Sequence, residues 1–136
     1  MQFALKRQLT VALQNQPGAL AAISRVVSAA GFNIEALCVV DNVEQGVVRL
    51  LVDDPGACKE RLSAEGFYVV EAEVFAINLT DSRGKLAAVT KALASAKLNI
   101  DYAYSTVDHS GANTLLVMKI SNPRMAEEIL ARLADA

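Results

Sequence analysis

An internal duplication constrains the fold of this chain more than any other feature. Gly18 and Gly84 each open an apolar helical pattern, and Asn33 and Asn99 each follow that pattern. The spacing is identical, since 84 − 18 = 66 and 99 − 33 = 66. Seven positions match between residues 18–34 and 84–100, which is more than chance gives in so short a stretch. The sequence therefore predicts two copies of one small domain, residues 1–72 and 73–136.

Each copy shows the order strand, helix, strand, strand, helix. Short apolar runs and alternating residues predict the strands, and apolar residues at helical spacing predict the helices. The predicted first strands, first helices and hairpins begin at Leu9, Leu20, Ile34, Phe75, Leu86 and Ile100. Gly31 is placed to end the first helix, whereas its counterpart Lys97 lacks the freedom of glycine in a left-handed conformation. Asp54-Pro55 and Asn122-Pro123 predict the start of the second helices.

A closing strand is predicted only in the first copy, at residues 67–72. The first copy thus reads as βαββαβ, a ferredoxin-like unit, and the second as βαββα. We expect an α+β fold with the two units side by side as one antiparallel sheet and the helices on one face. The edge left by the missing strand should be covered by Gln2 to Leu5 or by another chain.

Composition excludes several functional classes. The chain of 136 residues is 53% hydrophobic with a net charge of 13 − 15 = −2 and no Lys/Arg run, which argues against nucleic-acid binding. Its longest apolar runs span four to six residues, too few to cross a bilayer, and no signal peptide is evident, so a cytoplasmic protein is expected. Cys38 and Cys58 lack metal-site spacing and are expected to be reduced. We expect no cofactor.

The motifs at the two glycines resemble those of the ACT domain. The first copy carries Asn15-Gln16-Pro17-Gly18-Ala19-Leu20 followed by Gly31-Phe32-Asn33-Ile34. The second carries a weaker form, Asp81-Ser82-Arg83-Gly84-Lys85-Leu86 followed by Leu98-Asn99-Ile100. The resemblance covers nearly the whole chain as two tandem copies.

This resemblance implies a non-catalytic regulatory module that binds an amino acid where two ACT domains meet. The ligand would lie between the glycine turn of one copy and the Asn-Ile strand start of its neighbour. The residues implied are Asn15, Pro17, Gly18, Ala19, Leu20, Asn33, Ile34, Asp81, Arg83, Gly84, Lys85, Leu86, Asn99 and Ile100. A homodimer and an enzyme of amino-acid metabolism are the expected partners.

The chemistry of these residues suits a zwitterion. A glycine turn entering a helix aims main-chain N–H groups outward at the positive end of the helix dipole, which favours a carboxylate. Asp81 either holds an ammonium group or caps the helix. Arg83 and Lys85 make the second turn depart furthest from the motif, so the two pockets should differ. Tyr102 and Tyr104 either wall a pocket or fill the interface between copies, and we favour the interface.

The alternatives are structural. Pro17-Gly18 alone is also an ordinary turn, and Asn33 and Asn99 alone are ordinary hydrogen-bonding residues at a strand start. His109 is the only histidine, and it lies between Asp108 and Ser110 in a loop, where adjacent residues do not converge as a catalytic triad does. A binding protein is therefore favoured over an enzyme. The second hypothesis is an interaction module for oligomerisation or docking whose ligand sites are degenerate.

Overall fold

The computed structural model describes residues 1–41, 45–80, 83–107 and 113–135. Six strands and four helices alternate along these segments. Their bounds are β1 (Gln2–Gln14), α1 (Ala19–Ala29), β2 (Ile34–Val40), β3 (Gln45–Val52), α2 (Pro55–Ala64), β4 (Val69–Thr80), α3 (Lys85–Ser95), β5 (Ile100–Val107), β6 (Asn113–Ile120) and α4 (Pro123–Asp135). The predicted element order is confirmed in both copies, with one fusion of strands.

That fusion joins the closing strand of the first copy to the first strand of the second. Both belong to β4, because residues 70–76 contain no glycine, proline or asparagine that would break an extended chain. The chain forms two compact units, Arg7–Ala72 (the first unit) and Met1–Lys6 with Glu73–Ala136 (the second unit). Each unit therefore includes part of β1 and part of β4.

The first unit has the antiparallel strand order β2-β3-β1-β4. Leu9 of β1 lies opposite Leu50 of β3, and Val11 opposite Val48, so these side chains share one face. All four are buried, and they pack with Ile23 and Val27 of α1 and Leu62 of α2 in one core. The alternation in β3 thus directs its apolar face to the helices, as predicted.

The second unit has the order β5-β6-β4-β1, in which residues 2–6 supply the strand missing from the second copy. Met1 and Phe3 pack against its core, and the rings of Phe3 and Phe75 have centroids 6.3 Å apart. Leu116, Met118 and Ile120 of β6 line the same core. Cover by Gln2 to Leu5, one of the two predicted possibilities, is confirmed, and each unit has the ferredoxin-like α+β fold.

The helix ends follow the local sequence. Asp54 accepts a hydrogen bond from the Ala57 amide through Oδ1 at 3.2 Å, and Asn122 accepts one from the Met125 amide at the same distance, as predicted for N-caps. Leu20 and Leu86, in contrast, lie on exposed helix surface, with 36% and 50% of their area accessible.

The first helix of each copy ends in the same left-handed turn. The Phe32 amide donates to the Val27 carbonyl at 3.1 Å, and the Leu98 amide donates to the Leu93 carbonyl at 3.0 Å. These bonds require the intervening residue to adopt a positive φ. Gly31 does so at 82°, and Lys97 does so at 61°, the one positive φ of a non-glycine residue in the described segments.

Both cysteines are free thiols, as expected for reduced residues. Cys58 lies in the core of the first unit, and burial raises its pKa, with Asp53 and Asp54 adding a smaller effect of the same sign. The Cys58 side chain therefore behaves as a small apolar group. Within the described segments, no helix combines the length and apolar character needed to cross a membrane.

We expect Lys97→Gly to stabilise the protein, because a residue with a side chain is strained at a positive φ and glycine is not. The gain in the free energy of unfolding should be about 0.5–1 kcal/mol, since relief of backbone strain is partly offset by the greater entropy of glycine in the unfolded chain. Urea denaturation followed by circular dichroism measures it.

Two variants separate backbone strain from charge. Lys97→Ala removes the ammonium group but keeps the strained residue type, so it should give no comparable gain. Gly31→Ala introduces the strain in the first copy, where no atom lies within 4 Å of the added Cβ, and should destabilise by about 1 kcal/mol. Equal stabilisation by Lys97→Gly and Lys97→Ala would contradict this explanation.

Candidate functional site

The turn between β1 and α1 leaves main-chain donors exposed. Gly18 has a φ of 89° and serves as the N-terminal boundary of α1, which no side chain caps. The Ala19 amide donates to the Gln16 carbonyl at 3.3 Å, and the Ala22 amide donates to the Gly18 carbonyl at 3.0 Å. The amides of Leu20 and Ala21 lie in the first helical turn, where N–H groups have no intrahelical acceptor. This end of α1 therefore offers donors and a positive dipole end.

A cavity of about 520 Å³ opens beside this turn, and we call it the turn cavity. It lies wholly within the first unit. Its lining consists of Ala12, Leu13, Gln14, Gln16, Pro17, Gly18, Ala19, Ala22, Gln45, Gly66, Phe67 and Tyr68. Polar side chains in this lining come from three glutamines and the Tyr68 hydroxyl, and none of the lining residues carries a formal charge.

The pairing of three strands places these residues together. Gln14 at the end of β1 lies opposite Gln45 at the start of β3. The Ala12 amide donates to the Tyr68 carbonyl at 3.0 Å, which brings the segment before β4 to the other side of β1. The turn cavity is thus formed by the end of β1, the start of α1 and the loop after α2.

Three residues predicted from the first motif line this cavity: Pro17, Gly18 and Ala19. Asn15 and Leu20 belong to the same turn but are not among the lining residues. Sequence reasoning missed Gln45, Phe67 and Tyr68, because only strand pairing brings them to the turn. Gln14 and Gln16 flank Asn15 in the sequence, so their position in or beside the motif could have identified them as candidate site residues.

Asn33 and Ile34 lie at the opposite end of the first unit's sheet. Ile34 pairs with Val52, whereas the cavity end of β3 is Gln45. With about 3.3 Å per residue, the seven residues of β2 separate the two ends by about 20 Å. The Asn33 amide N–H donates to Asp53 Oδ1 at 3.1 Å, and the residue is exposed. A single first unit therefore does not bring the two halves of the motif together.

The second motif has a similar backbone but different surroundings. Gly84 adopts a φ of 77°, and its carbonyl accepts a hydrogen bond from the Ala88 amide at 3.1 Å. Arg83 and Lys85 flank this glycine and place two positive charges at the turn. Asp81 and His109, which the sequence analysis singled out, lie outside the described residues.

Asn99 differs from Asn33 because its side chain is already engaged. Its Nδ2 donates to Asp101 Oδ1 at 3.0 Å, and Lys119 Nζ donates to Asp101 Oδ2 at 3.2 Å. These contacts lower the pKa of Asp101, with the Asn99 hydrogen bond as the largest cause. Ile100 pairs with Ile120 next to this group. The second copy thus presents an ion pair where the first presents a neutral amide.

The described residues contain no group of three or more His, Cys, Asp or Glu side chains arranged to hold a metal ion. The described lining of the turn cavity also includes no histidine, cysteine, serine or carboxylate. Its chemistry is that of neutral hydrogen bonds, main-chain donors and apolar contact, which suits reversible binding of a small molecule.

Comparison with known families identifies the class. The family model described as an ACT domain pair matches residues 4–134, which is nearly the entire sequence. The chain therefore belongs to the ACT domain pair family, and the resemblance inferred from its motifs is confirmed. Comparison with curated proteins gave no match.

Solved structures agree with this assignment. The fold is similar to that of protein BT0572 from Bacteroides thetaiotaomicron, with 27% identity, a TM-score of 0.90, and coverage of 97% of this chain and 90% of that chain. It is also similar to the ligand-free regulatory subunit of aspartate kinase from Thermus thermophilus, with 18% identity, a TM-score of 0.68, and coverage of 99% and 97%. The corresponding subunit from Thermus flavus gives 15% identity, a TM-score of 0.68, and coverage of 99% and 96%. These similarities show a shared fold.

We expect two substitutions each to raise the pKa of Asp101. Asn99→Ala removes the amide hydrogen bond, the largest single cause of its lowering, and Lys119→Met removes both a hydrogen bond and the attraction of the ammonium charge. Because the pKa of Asp101 is lower in the folded state, this carboxyl group stabilises the protein fully at pH values above the ordinary carboxyl pKa. Its contribution is lost as the pH falls through the lowered pKa. Carboxyl-carbon NMR titration measures each shift.

Lys91→Met serves as the control for loss of one positive charge, since Lys91 is an exposed residue of α3. It should leave the Asp101 titration unchanged. An Asp101 titration that neither Asn99→Ala nor Lys119→Met alters would contradict the proposed cause.

Proposed function

We propose that this ACT domain pair is a non-catalytic regulatory protein that binds an amino acid in the turn cavity. The observation that carries the proposal is the cavity at the Pro17-Gly18 turn, where the uncapped start of α1 meets a lining of neutral polar and apolar groups. A cavity of about 520 Å³ has room for an amino acid.

The α-carboxylate of the ligand is assigned to the start of α1. Gly18, Ala19 and Ala22 bring this end of the helix to the cavity wall, and the helix dipole favours a negative group there. The α-ammonium group then needs an acceptor of its own. Gln14, Gln16 and Gln45 supply side-chain carbonyl oxygens around the cavity. The arrangement supports recognition of a zwitterion.

The second half of the motif suggests a homodimer. β2 is the edge strand of the first unit's sheet, and Ile34, Leu37 and Val39 on it are 38%, 42% and 44% exposed. An edge strand with apolar side chains is a template for pairing with another chain. If β2 pairs antiparallel with β2 of a second copy, the start of each strand lies beside the end of the other.

This pairing would complete the site. Val40 ends β2 opposite Val47, two residues from Gln45 of the turn cavity. In an antiparallel pair, Asn33 of the partner subunit would arrive at this end of the sheet. The neutral amide of Asn33 would then join the turn cavity from the neighbouring copy. We therefore place the ligand at an interface between ACT domains of two chains.

Regulation follows if the ligand prefers the paired state. A ligand that binds the paired state more tightly than the single chain stabilises the pair by that difference in affinity. An enzyme of amino-acid metabolism that recognises the pair then responds to the ligand. The second candidate function is a docking or oligomerisation module without ligand. The exposed apolar edge of β2 would serve that role equally, so ligand dependence distinguishes the two.

We expect at least one amino acid to raise the stability of the protein. At a ligand concentration of 100 Kd, a single site contributes about 2.7 kcal/mol. Asn33→Ala should weaken binding by about tenfold, the usual effect of losing a hydrogen bond to a charged ligand group. Thermal shift against the standard amino acids finds the ligand, and isothermal titration calorimetry measures its affinity.

Asn99→Ala is the matched control, because the Asn99 amide is held by Asp101 and belongs to the second copy. It should leave the affinity unchanged. Absence of any response to amino acids overturns the binding function and favours the docking module. Equal loss in both asparagine variants overturns the assignment of the ligand to the first motif.

We expect Leu37→Lys to give a monomer, because the substitution places like charges near each other across a symmetric β2 pair. Sedimentation velocity measures the oligomeric state, and amino-acid binding should weaken with it. Met125→Lys is the control, since Met125 is 43% exposed on α4 of the second unit, whereas β2 belongs to the first unit. A dimer that survives Leu37→Lys would contradict pairing through β2.

A further inference from the structure

We propose that the turn cavity selects an amino acid with an uncharged side chain, and that Tyr68 forms the contact with that side chain. This inference rests on the amino-acid-binding function proposed above and names the class of ligand. Its basis is the lining of the cavity, which includes no Asp, Glu, Lys, Arg or His among the residues that the structure describes.

The lack of charged side chains in the described lining indicates the class of ligand. The zwitterionic head carries a carboxylate and an ammonium group, which balance each other. A charged side chain would add a further ion to a partly enclosed space where the described lining from this chain supplies no opposite charge. Moving an ion from water into such a place costs free energy unless it is paired. A neutral side chain carries no such cost and gains from contact with the apolar part of the wall.

Charged side chains line a separate cleft. Arg25, Arg61 and Glu65 belong to this second cleft, which lies between α1 and α2. The described linings of the two cavities have only the apolar residues Ala22 and Phe67 in common. Phe67 is partly buried against the core of the first unit, which fixes its position. The volume of the turn cavity does not discriminate between amino acids, because about 520 Å³ holds any of them.

Tyr68 stands out as the free aromatic group of the lining. It is 72% exposed, the largest value among the large apolar side chains that are exposed, although its carbonyl is fixed by the bond from the Ala12 amide. The main chain is thus held in place while the side chain stays open to solvent. An aromatic ring in this position gains buried area only when a ligand covers it. We therefore assign Tyr68 a specificity-determining role.

Calorimetry with pairs of similar shape tests the charge selection. Glutamine is compared with glutamate and citrulline with arginine, beside the standard amino acids. In each pair that binds, the neutral amino acid should bind at least about tenfold more tightly than the charged one, because burial of an unpaired charge is disfavoured. Gln45→Glu should move the preference towards arginine and lysine, since it adds a carboxylate to the lining. Gln2→Glu, far along β1 in the second unit, is the control for an added charge and should change nothing.

Fluorescence tests Tyr68. The chain has three tyrosines and no tryptophan, so tyrosine emission reports on the ring directly. Tyr68→Ala should lower the affinity for the tightest-binding neutral amino acid by about fivefold. Tyr68→Phe should keep that affinity but lose most of the ligand-induced change in tyrosine emission. Neither variant should alter the unfolding midpoint without ligand, because the side chain is exposed.

The outcomes separate this inference from the function on which it rests. If amino acids bind but charged ones bind as tightly as their neutral counterparts, the charge selection is wrong and the binding function stands. Unchanged affinity in Tyr68→Ala overturns the role of Tyr68 alone. If no amino acid binds, both the inference and the proposed function are overturned.

Discussion

The backbone direction at Gly18 is the constraint on which the first site depends. Its φ of 89° turns the chain from β1 into α1 without a capping side chain, and Gly18, Ala19 and Ala22 at the start of the helix line the cavity. A residue with a side chain would meet no atom within 4 Å there, so the requirement for glycine is conformational and not one of space. The Gln14–Gln45 pair and the Phe67-Tyr68 loop then complete the walls around this turn.

The two copies share this backbone and differ in electrostatics. Gly84 repeats the left-handed turn, but Arg83 and Lys85 surround it with positive charge. Asn99 repeats Asn33, but an Asp101–Lys119 pair occupies its amide. At an offset of 119 − 51 = 68, the counterpart of Lys119 is the buried residue Leu51. Duplication has therefore kept the fold in both copies while their polar groups have diverged.

Much of the fold could be predicted from local signals. Asp54 and Asn122 cap helices as their position before proline indicates, and Val48 and Leu50 face the helices as alternation requires. The sequence places the two predicted strands at residues 67–72 and from Phe75 almost directly one after the other, and they form the single strand β4 because no glycine, proline or asparagine separates them. Phe67 and Tyr68 reach the turn only through pairing of β1 with the segment before β4, a contact between residues far apart in sequence. Sequence patterns report local preference and burial, so they found the motif residues and not the opposite wall.

The second unit takes its edge strand from residues 2–6, while the rest of its sheet begins at Glu73. These residues lie beside β4 in the strand order, so the whole first copy separates them in the chain from their neighbour in the second unit. Bringing the ends of such a long intervening stretch together carries a larger entropic cost than forming a hairpin. The sheet of the second unit is therefore completed by a non-local contact, which favours slower folding than the local β5–β6 hairpin does.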